Sequence, residues 1–106
     1  MSELNKETGT LGSRCHEDIF NFDVPDTEVL RKACREAIVD AGCSIRGYLY
    51  VLFEPQGETH VWVIAESHVA VHTWPERQAL AIDVFSCIGK ESAKMILRHI
   101  VDKLRY

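Results

Sequence analysis

Residues 60–74, HVWVIAESHVAVHTW, contain the clearest indication of the fold in this sequence. They hold two runs rich in β-branched and aromatic residues, 60–65 and 68–74, separated only by Glu66 and Ser67. Runs of this kind are typical of β-strands. Because so short a link cannot carry a parallel crossover, the pattern predicts two antiparallel strands joined by a turn.

Further strands are predicted on either side of this pair, over residues 44–54 and 79–87. The links PQGE, residues 55–58, and PERQ, residues 75–78, have turn compositions, so the four strands form an antiparallel meander. A first strand is predicted within residues 14–24. Its apolar side chains are Ile19, Phe20 and Phe22.

Two amphipathic helices complete the predicted pattern. The first follows Pro25, has Asp26 or Thr27 as its cap, and stops at Gly42. The second leads to the carboxyl end, and its apolar stripe is Ala93, Ile96, Leu97, Ile100, Val101 and Leu104. The order β-α-β-β-β-β-α predicts an α+β fold, a two-layer sandwich whose antiparallel sheet has both helices on one face. The other face is left to solvent or to a second copy.

Length and composition limit the classes of protein. The 106 residues have room for one domain, and 46% hydrophobic with 26% charged residues excludes a disordered chain or a coiled-coil rod. Residues 1–12 are polar and predict a flexible lead-in to a single domain over residues 13–106.

Charge and cysteine usage limit partners and location. The net charge of −4, with no basic stripe, argues against nucleic acid and anionic membranes as partners. No apolar stretch reaches the roughly 18 residues of a membrane helix, and the start lacks a signal-peptide core, so we expect a cytoplasmic protein. The four cysteines show no C-x-x-C spacing, which predicts reduced thiols.

Residues that can carry chemistry are concentrated between positions 66 and 87. They include a serine, two histidines, a thiol and carboxylates. His68 and His72 share a strand face but lie about 13 Å apart, which is too far to chelate one metal ion. Cys87 and His72 could form a nucleophile pair if their strands are neighbours, although a buried thiol near an imidazole is often only packing.

The segments AESHVAVHTWPE, residues 65–76, and AIDVFSC, residues 81–87, resemble a known signature. It is the E-S-H-x-x-x-H-T-W-P-E … D-x-F-x-C pattern of the prokaryotic S-adenosylmethionine decarboxylases. The resemblance implies a proenzyme that cuts itself between Glu66 and Ser67, giving a β chain, 1–66, and an α chain, 67–106. It also implies a homodimer of such processed protomers.

The same resemblance implies a role for each matching residue. The hydroxyl of Ser67 attacks the carbonyl of Glu66, and elimination and hydrolysis convert Ser67 to a pyruvoyl group. That group forms a Schiff base with the substrate, so neither a metal nor pyridoxal phosphate is needed. His72 is the base that processing requires, and Cys87 is the acid that returns a proton to the α-carbon after carbon dioxide leaves.

Supporting roles are implied for four more residues. Thr59 assists the ester step of processing, and His68 lines the site. Phe53 stacks on the adenine of the substrate, and the carboxylate of Glu76 holds the ribose hydroxyls.

Two departures from the family pattern leave the substrate open. LGSRCH, residues 11–16, stands where the family has an L-G-R-H segment, and RQAL, residues 77–80, replaces an aromatic and small residues. The leading hypothesis is S-adenosylmethionine decarboxylation for spermidine synthesis. The alternatives are a pyruvoyl decarboxylase acting on ornithine or arginine, and a non-processing interaction module. The joint presence of Ser67, His72 and Cys87 favours an enzyme.

Overall fold

The computed structural model describes residues 11–105 and has the predicted α+β architecture. Of the predicted lead-in, residues 1–10 lie outside the described residues. The elements are β1 (Ser13–Ile19), α1 (Thr27–Asp40), β2 (Ile45–Leu52), β3 (Glu58–Ile64), β4 (Ser67–Trp74), β5 (Ala79–Ser86) and α2 (Lys90–Arg105). A short 3₁₀ helix, Pro75–Arg77, links β4 to β5.

The five strands form one antiparallel sheet in the order β1-β5-β4-β3-β2. Strands β2 to β5 follow one another as the predicted meander, and β1 adds to the far side of β5. The central strands are therefore β4, β5 and β3, and the residues with candidate chemistry lie on these strands or next to them.

Both helices present an apolar stripe to the sheet. Asp26 caps α1 by accepting a hydrogen bond from the backbone N–H of Val29, at 3.1 Å, as the sequence predicts. The buried side chains of α1 and α2 are Leu30, Cys34, Ala37, Ile38, Ala93, Ile96 and Ile100. Burying one such large aliphatic side chain is worth about 1.5–3 kcal/mol, which holds the two layers together. Neither α-helix of the described residues has the length and apolar character needed to span a bilayer.

The helices cover only one face of the sheet. Alternate strand residues, such as Val69, Val71, Ile82 and Val84, are fully buried in the core with the helices. The residues between them face the other way, and we call this other side the open face. Its members on β2 to β5 are Gly47, Leu49, Val51, Thr59, Val61, Val63, His68, Ala70, His72, Trp74, Ala79, Ala81, Asp83 and Phe85.

Two strand boundaries differ from the sequence prediction. The first strand ends at Ile19, not near residue 24, because Asn21 turns the chain with φ 56° and leaves Phe20 68% exposed. Glu58 belongs to β3, not to the predicted turn, since it pairs with Leu52 and with Thr73. Both errors arose because local composition does not show where a neighbouring strand is available for pairing.

Candidate functional site

Ser67 follows a two-residue turn. Ile64 and Ser67 pair as the last residue of β3 and the first of β4, so only Ala65 and Glu66 connect the strands. Glu66 has φ 58°, a left-handed conformation that costs a residue with a side chain about 1–2 kcal/mol. The bond between Glu66 and Ser67 therefore lies directly after a strained residue at an exposed turn.

The side chain of Ser67 contacts the chain just beyond β5. Its Oγ accepts a hydrogen bond from the backbone N–H of Cys87, at 3.3 Å. Ser67 lies opposite Ser86, the last residue of β5, so the next residue, Cys87, comes alongside. The structure thus brings the predicted nucleophile and the predicted acid together at one end of the sheet.

Thr59 and His72 form a second pair, on the open face. They lie directly opposite each other on β3 and β4, and a hydrogen bond joins Thr59 Oγ1 to His72 Nδ1 at 3.0 Å. Both side chains belong to half-buried residues, and the ring of Trp74 lies 6.3 Å from the His72 ring. No other side chain among residues 11–105 is hydrogen-bonded to His72, so its Nε2 has no side-chain partner within this part of the chain.

The two pairs are separated along β4. Ser67 and His72 are five residues apart on one extended strand, which places their Cα atoms about 16 Å apart. The alternative Cys87–His72 pair is also not formed. Although β4 and β5 are neighbours, the residue opposite His72 is Ala81, and Cys87 lies six residues further, about 20 Å away.

His68 lies next to the Ser67–Cys87 pair. It faces Phe85 across the β4–β5 ladder, and their rings stack with centroids 5.8 Å apart. His68 and His72 are on the same strand face but four residues apart, as expected from the sequence. Within residues 11–105, no three histidine, cysteine or carboxylate side chains are grouped closely enough to hold a metal ion.

Phe53 and Glu76 lie at the opposite end of the sheet from Ser67. Phe53 follows β2, is 51% exposed, and donates its backbone N–H to the carbonyl of Gly57 at 2.8 Å. Glu76 is exposed in the 3₁₀ helix that follows β4. The ends of β2 and β4 that precede these residues are close to each other. Glu58, the first residue of β3, lies between them and pairs with Leu52 and with Thr73. Phe53 and Glu76 are thus nearer to the Thr59–His72 pair than to the Ser67–Cys87 pair.

A buried polar network on the helix-covered face was missed by the sequence prediction. His60 is fully buried, with Nδ1 2.6 Å from the Tyr48 hydroxyl and Nε2 2.7 Å from Glu58 Oε1. Thr27, at the start of α1, donates its hydroxyl to Glu58 Oε2 at 2.6 Å. The signal was available in β3, where a histidine and a carboxylate alternate with β-branched residues, but only the pairing with β2 brings Tyr48 to them.

The direction of these hydrogen bonds follows from the carboxylate. A carboxylate oxygen of Glu58 accepts from the Nε2–H of His60, so in the neutral ring Nδ1 accepts from the Tyr48 hydroxyl. Burial raises the pKa of Tyr48 to about 12, which keeps this hydroxyl available as a donor. Each polar group in the network is satisfied, which indicates a structural role.

The β1 side of the open face is charged. Arg14 lies 3.6 Å from the carboxylate of Asp83, and His16 lies 2.6 Å from that of Asp18. The β2 side is apolar instead, with Leu49, Val51 and Val63 44–66% exposed. The open face therefore changes from charged to apolar across the sheet, and the Thr59–His72 pair lies between the two regions.

Cavities among the described residues do not coincide with either pair. A groove of about 680 Å³ between α1 and α2 is lined by residues that include Asp40, Met95 and Lys103. It is on the helix side, away from the open face. A smaller hollow of about 180 Å³ lies beside Trp74 and is lined also by Phe20 and Arg77. The smaller hollow is at the sheet end that carries Glu76, so neither of these two cavities reaches Ser67.

Comparison with known proteins gives consistent matches. The family model described as S-adenosylmethionine decarboxylase matches residues 13–106. An S-adenosylmethionine decarboxylase proenzyme of Synechococcus sp. is 33% identical over 98 residues, covering 90% of this chain and 77% of the relative. The proenzyme of Pelotomaculum thermopropionicum is 42% identical over 76 residues, covering 72% of this chain and 57% of the relative.

A solved structure agrees with these matches. The crystal structure of the adenosylmethionine decarboxylase from Aquifex aeolicus superposes with a TM-score of 0.79 and 28% sequence identity. The match covers 90% of this chain and 81% of the Aquifex chain. The shared fold therefore extends over nearly all of the described residues.

Proposed function

Because the chain belongs to the S-adenosylmethionine decarboxylase family, we propose that it is a self-cleaving, pyruvoyl-dependent S-adenosylmethionine decarboxylase. One observation carries the proposal. Ser67 begins a strand directly after a strained two-residue turn, with its hydroxyl 3.3 Å from the Cys87 backbone nitrogen. The relatives' description as proenzymes supports cleavage of the chain. The product would be the aminopropyl donor for spermidine.

Processing starts at the turn. Ser67 Oγ attacks the carbonyl carbon of Glu66, and the acyl group moves from the Ser67 nitrogen to its oxygen. The peptide bond is replaced by an ester, and the strain at Glu66 favours loss of the peptide link. His72 then removes the α-proton of residue 67, since an imidazole is a suitable base near neutral pH.

Elimination completes the cut. The carboxylate of residue 66 leaves, and the dehydroalanine that remains at position 67 takes up water and releases ammonia. The resulting pyruvoyl carbonyl supplies an electron sink for loss of carbon dioxide from the substrate. The chain's own contribution to turnover is the Cys87 thiol, which returns a proton to the substrate α-carbon. Thr59 orients His72 through the hydrogen bond at Nδ1, and His68 lines the site beside Phe85.

The substrate-binding assignments rest on the family pattern and on exposure. Phe53 has a ring that is 51% exposed and able to stack on adenine. Glu76 has an exposed carboxylate able to accept hydrogen bonds from ribose hydroxyls. Both lie at the sheet end of the Thr59–His72 pair, so the substrate would have to extend from that end to a pyruvoyl group at the other.

A homodimer resolves this separation. Ser67 and Cys87 form one half of the site, and Thr59 and His72 form the other, about 16 Å along β4. If two open faces pack about a two-fold axis perpendicular to the strands, strand direction reverses between copies. With that axis near Ala70, midway between Ser67 and His72, the strand end that carries Ser67 and Cys87 lies over the partner's Thr59–His72 pair. Ser67 alternates with the core-facing Val69 and Val71, so its side chain must turn toward the open face for the reaction. The exposed Leu49, Val51 and Val63 support burial of this face.

Intact mass under denaturing conditions tests the processing. We expect two pieces, residues 1–66 and residues 67–106, with the second lacking a free amino terminus. Ser67→Ala should give one uncut chain, whereas Ser44→Ala, an exposed serine near the same turn, should cut normally. A cut Ser67→Ala protein, or an uncut wild type, would overturn the proposal.

Release of labelled carbon dioxide tests the substrate. Purified, processed protein is incubated separately with S-adenosylmethionine, ornithine and arginine, each labelled in the carboxyl carbon. We expect release from S-adenosylmethionine alone. Release only from ornithine or arginine would mean that the protein is a pyruvoyl decarboxylase with one of these amino acids as its substrate.

Mixed dimers test the shared site. Chains carrying Ser67→Ala are co-expressed with chains carrying His72→Ala, each with a distinct tag. In a hybrid dimer one site keeps both Ser67 and His72, so the His72→Ala chain should be cut only when it is mixed. If each site lies within one chain, neither chain is cut under any condition.

A further inference from the structure

Gly12, just before β1, lies against the chain segment that carries Cys87. A Cβ atom at this position would lie 2.6 Å from the Ser86 carbonyl oxygen, 2.7 Å from Cζ of Phe85 and 2.9 Å from Cα of Cys87. Contacts this short do not occur for real Cβ atoms. The chain can approach the end of β5 so closely only because residue 12 has no side chain.

Two of these three contacts cannot be relieved by a side-chain rotation. The Ser86 oxygen and the Cys87 Cα atom are backbone atoms, so a methyl group at position 12 must displace β1 or the end of β5. Phe85 is also restricted, because its ring stacks on His68. Displacement of the β5 end would stretch the hydrogen bond from the Cys87 N–H to Ser67, which is already 3.3 Å long.

We propose that Gly12 is a positioning residue for Cys87, which rests on the function proposed above. Because residue 12 has no side chain, its backbone packs closely against Cys87. This contact fixes the position of the Cys87 thiol relative to residue 67. Its effect on the reaction passes through Cys87, which selects the carbon that receives the proton after carbon dioxide leaves. If the thiol is misplaced, water supplies the proton and does not select between the two carbons.

Misplacement of the Cys87 thiol should lead to a specific side product of the decarboxylation. The electron pair released with carbon dioxide is shared between the substrate α-carbon and the former pyruvoyl carbon of residue 67. A proton on the α-carbon, followed by hydrolysis, gives the amine product and restores the pyruvoyl group. A proton on the other carbon, followed by hydrolysis, gives an aldehyde from the substrate and an α chain that begins with alanine. That chain has a free amino terminus and no further activity.

The test compares Gly12→Ala with Gly47→Ala. A Cβ at Gly47 would meet nothing closer than 3.9 Å, so this variant controls for a glycine replacement in a strand. For Gly12→Ala we expect turnover to fall about ten- to a hundredfold, as for a small misplacement of a reacting group. We also expect α chains to acquire an alanine that amino-terminal sequencing reads during turnover. Gly47→Ala should behave as wild type in both respects.

A readout that does not need processed enzyme is alkylation of Cys87 by iodoacetamide, followed at the Cys87 peptide by mass spectrometry. Displacement of the strand end should change the alkylation rate severalfold in uncut Gly12→Ala protein and leave it unchanged in Gly47→Ala. An uncut wild type would contradict the proposed function, whereas equal alkylation rates in the two variants would contradict the role of Gly12.

A double variant covers the case in which the contact with the Phe85 ring prevents Gly12→Ala from folding. Gly12→Ala with Phe85→Leu removes the ring contact and leaves the two backbone contacts, and Phe85→Leu alone is its control. We expect the double variant to accumulate amino-terminal alanine faster than Phe85→Leu does. Equal accumulation in the two proteins would overturn the proposal.

Discussion

Two histidines on adjacent strands, His60 and His72, have opposite environments. Each has a hydroxyl at Nδ1, from Tyr48 at 2.6 Å and from Thr59 at 3.0 Å respectively. His60 lies on the helix-covered face, is 0% exposed, and has its second ring nitrogen bonded to Glu58. His72 lies on the open face, and among residues 11–105 no side chain is bonded to its second nitrogen.

The difference separates a structural imidazole from one that can move protons. A ring whose two nitrogens both have partners within the fold has no nitrogen left to contact a reacting group. A ring held at one nitrogen keeps its orientation and leaves the other nitrogen available.

The first prediction concerns His72, the histidine with an available nitrogen. Replacing it in His72→Asn should slow self-cleavage by about 100- to 10,000-fold, because general-base assistance contributes that much. The stability of the uncut protein should be nearly unchanged. The rate is measured by denaturing gel after synthesis in vitro, and His99→Asn, on α2, is the control. Cleavage of His72→Asn at the wild-type rate would remove the distinction between the two histidines.

The second prediction concerns His60, the histidine whose two ring nitrogens both have hydrogen-bond partners. His60→Leu leaves the Tyr48 hydroxyl and one carboxylate oxygen of Glu58 without their partner in a part-buried site, which should lower the free energy of unfolding by about 3 kcal/mol. Urea unfolding is measured in the uncut Ser67→Ala background, so that one chain unfolds. The molecules that fold should still be able to cleave when Ser67 is present. Full stability combined with lost cleavage would reverse the comparison.

The third prediction uses pH to test whether water reaches the core between the helices and the sheet. Burial of Cys34, in α1, raises the pKa of its thiol to about 12, above its value in the unfolded chain. Below about pH 8.5 the thiol is protonated in both states and contributes no pH dependence. As the pH rises further, only the unfolded chain ionises, so stability falls by up to about 1.4 kcal/mol per pH unit.

Urea unfolding between pH 8 and pH 10 measures this slope, with Cys34→Ala as the comparison. The alanine variant should lose stability less steeply with rising pH, whatever its stability at neutral pH. Parallel curves would mean that water reaches Cys34 and that the face is not closed.

The fourth prediction concerns the hydroxyl that holds His72. Thr59→Val keeps the shape of the side chain and removes one hydrogen bond of about 1 kcal/mol, so self-cleavage should slow about fivefold. Thr27→Val is the matched control, because Thr27 donates to Glu58 on the other face. The control should lower stability and leave cleavage in the folded protein unchanged. The opposite pattern would assign the positioning role to the buried network.

Much of the fold follows from local pattern. The meander, the two helices and the Asp26 cap are confirmed, because periodicity and capping are short-range properties. The strand ends near Phe20 and Glu58 were wrong, since pairing with a distant strand decides them.

The site was less accessible from sequence. The residues of the E-S-H…H-T-W-P-E…C pattern are adjacent in sequence, but the register separates Ser67 from His72 and joins Ser67 to Cys87. The roles of Gly12 and Tyr48 depend on contacts across strands that no local pattern contains. The sequence therefore points to candidate residues, and the structure shows that these candidates lie in two places along the sheet.

The strand order has a consequence for the mature molecule. After the proposed cut, the α chain supplies β4 and β5, and these lie between β3 and β1 of the β chain. Each boundary is a ladder of seven residue pairs, so the shorter piece is clamped on both sides by the longer one. Neither fragment can depart unless two ladders open at once. The cleaved protein should therefore migrate as a single species under native conditions. The two fragments separate only when the sheet is unfolded.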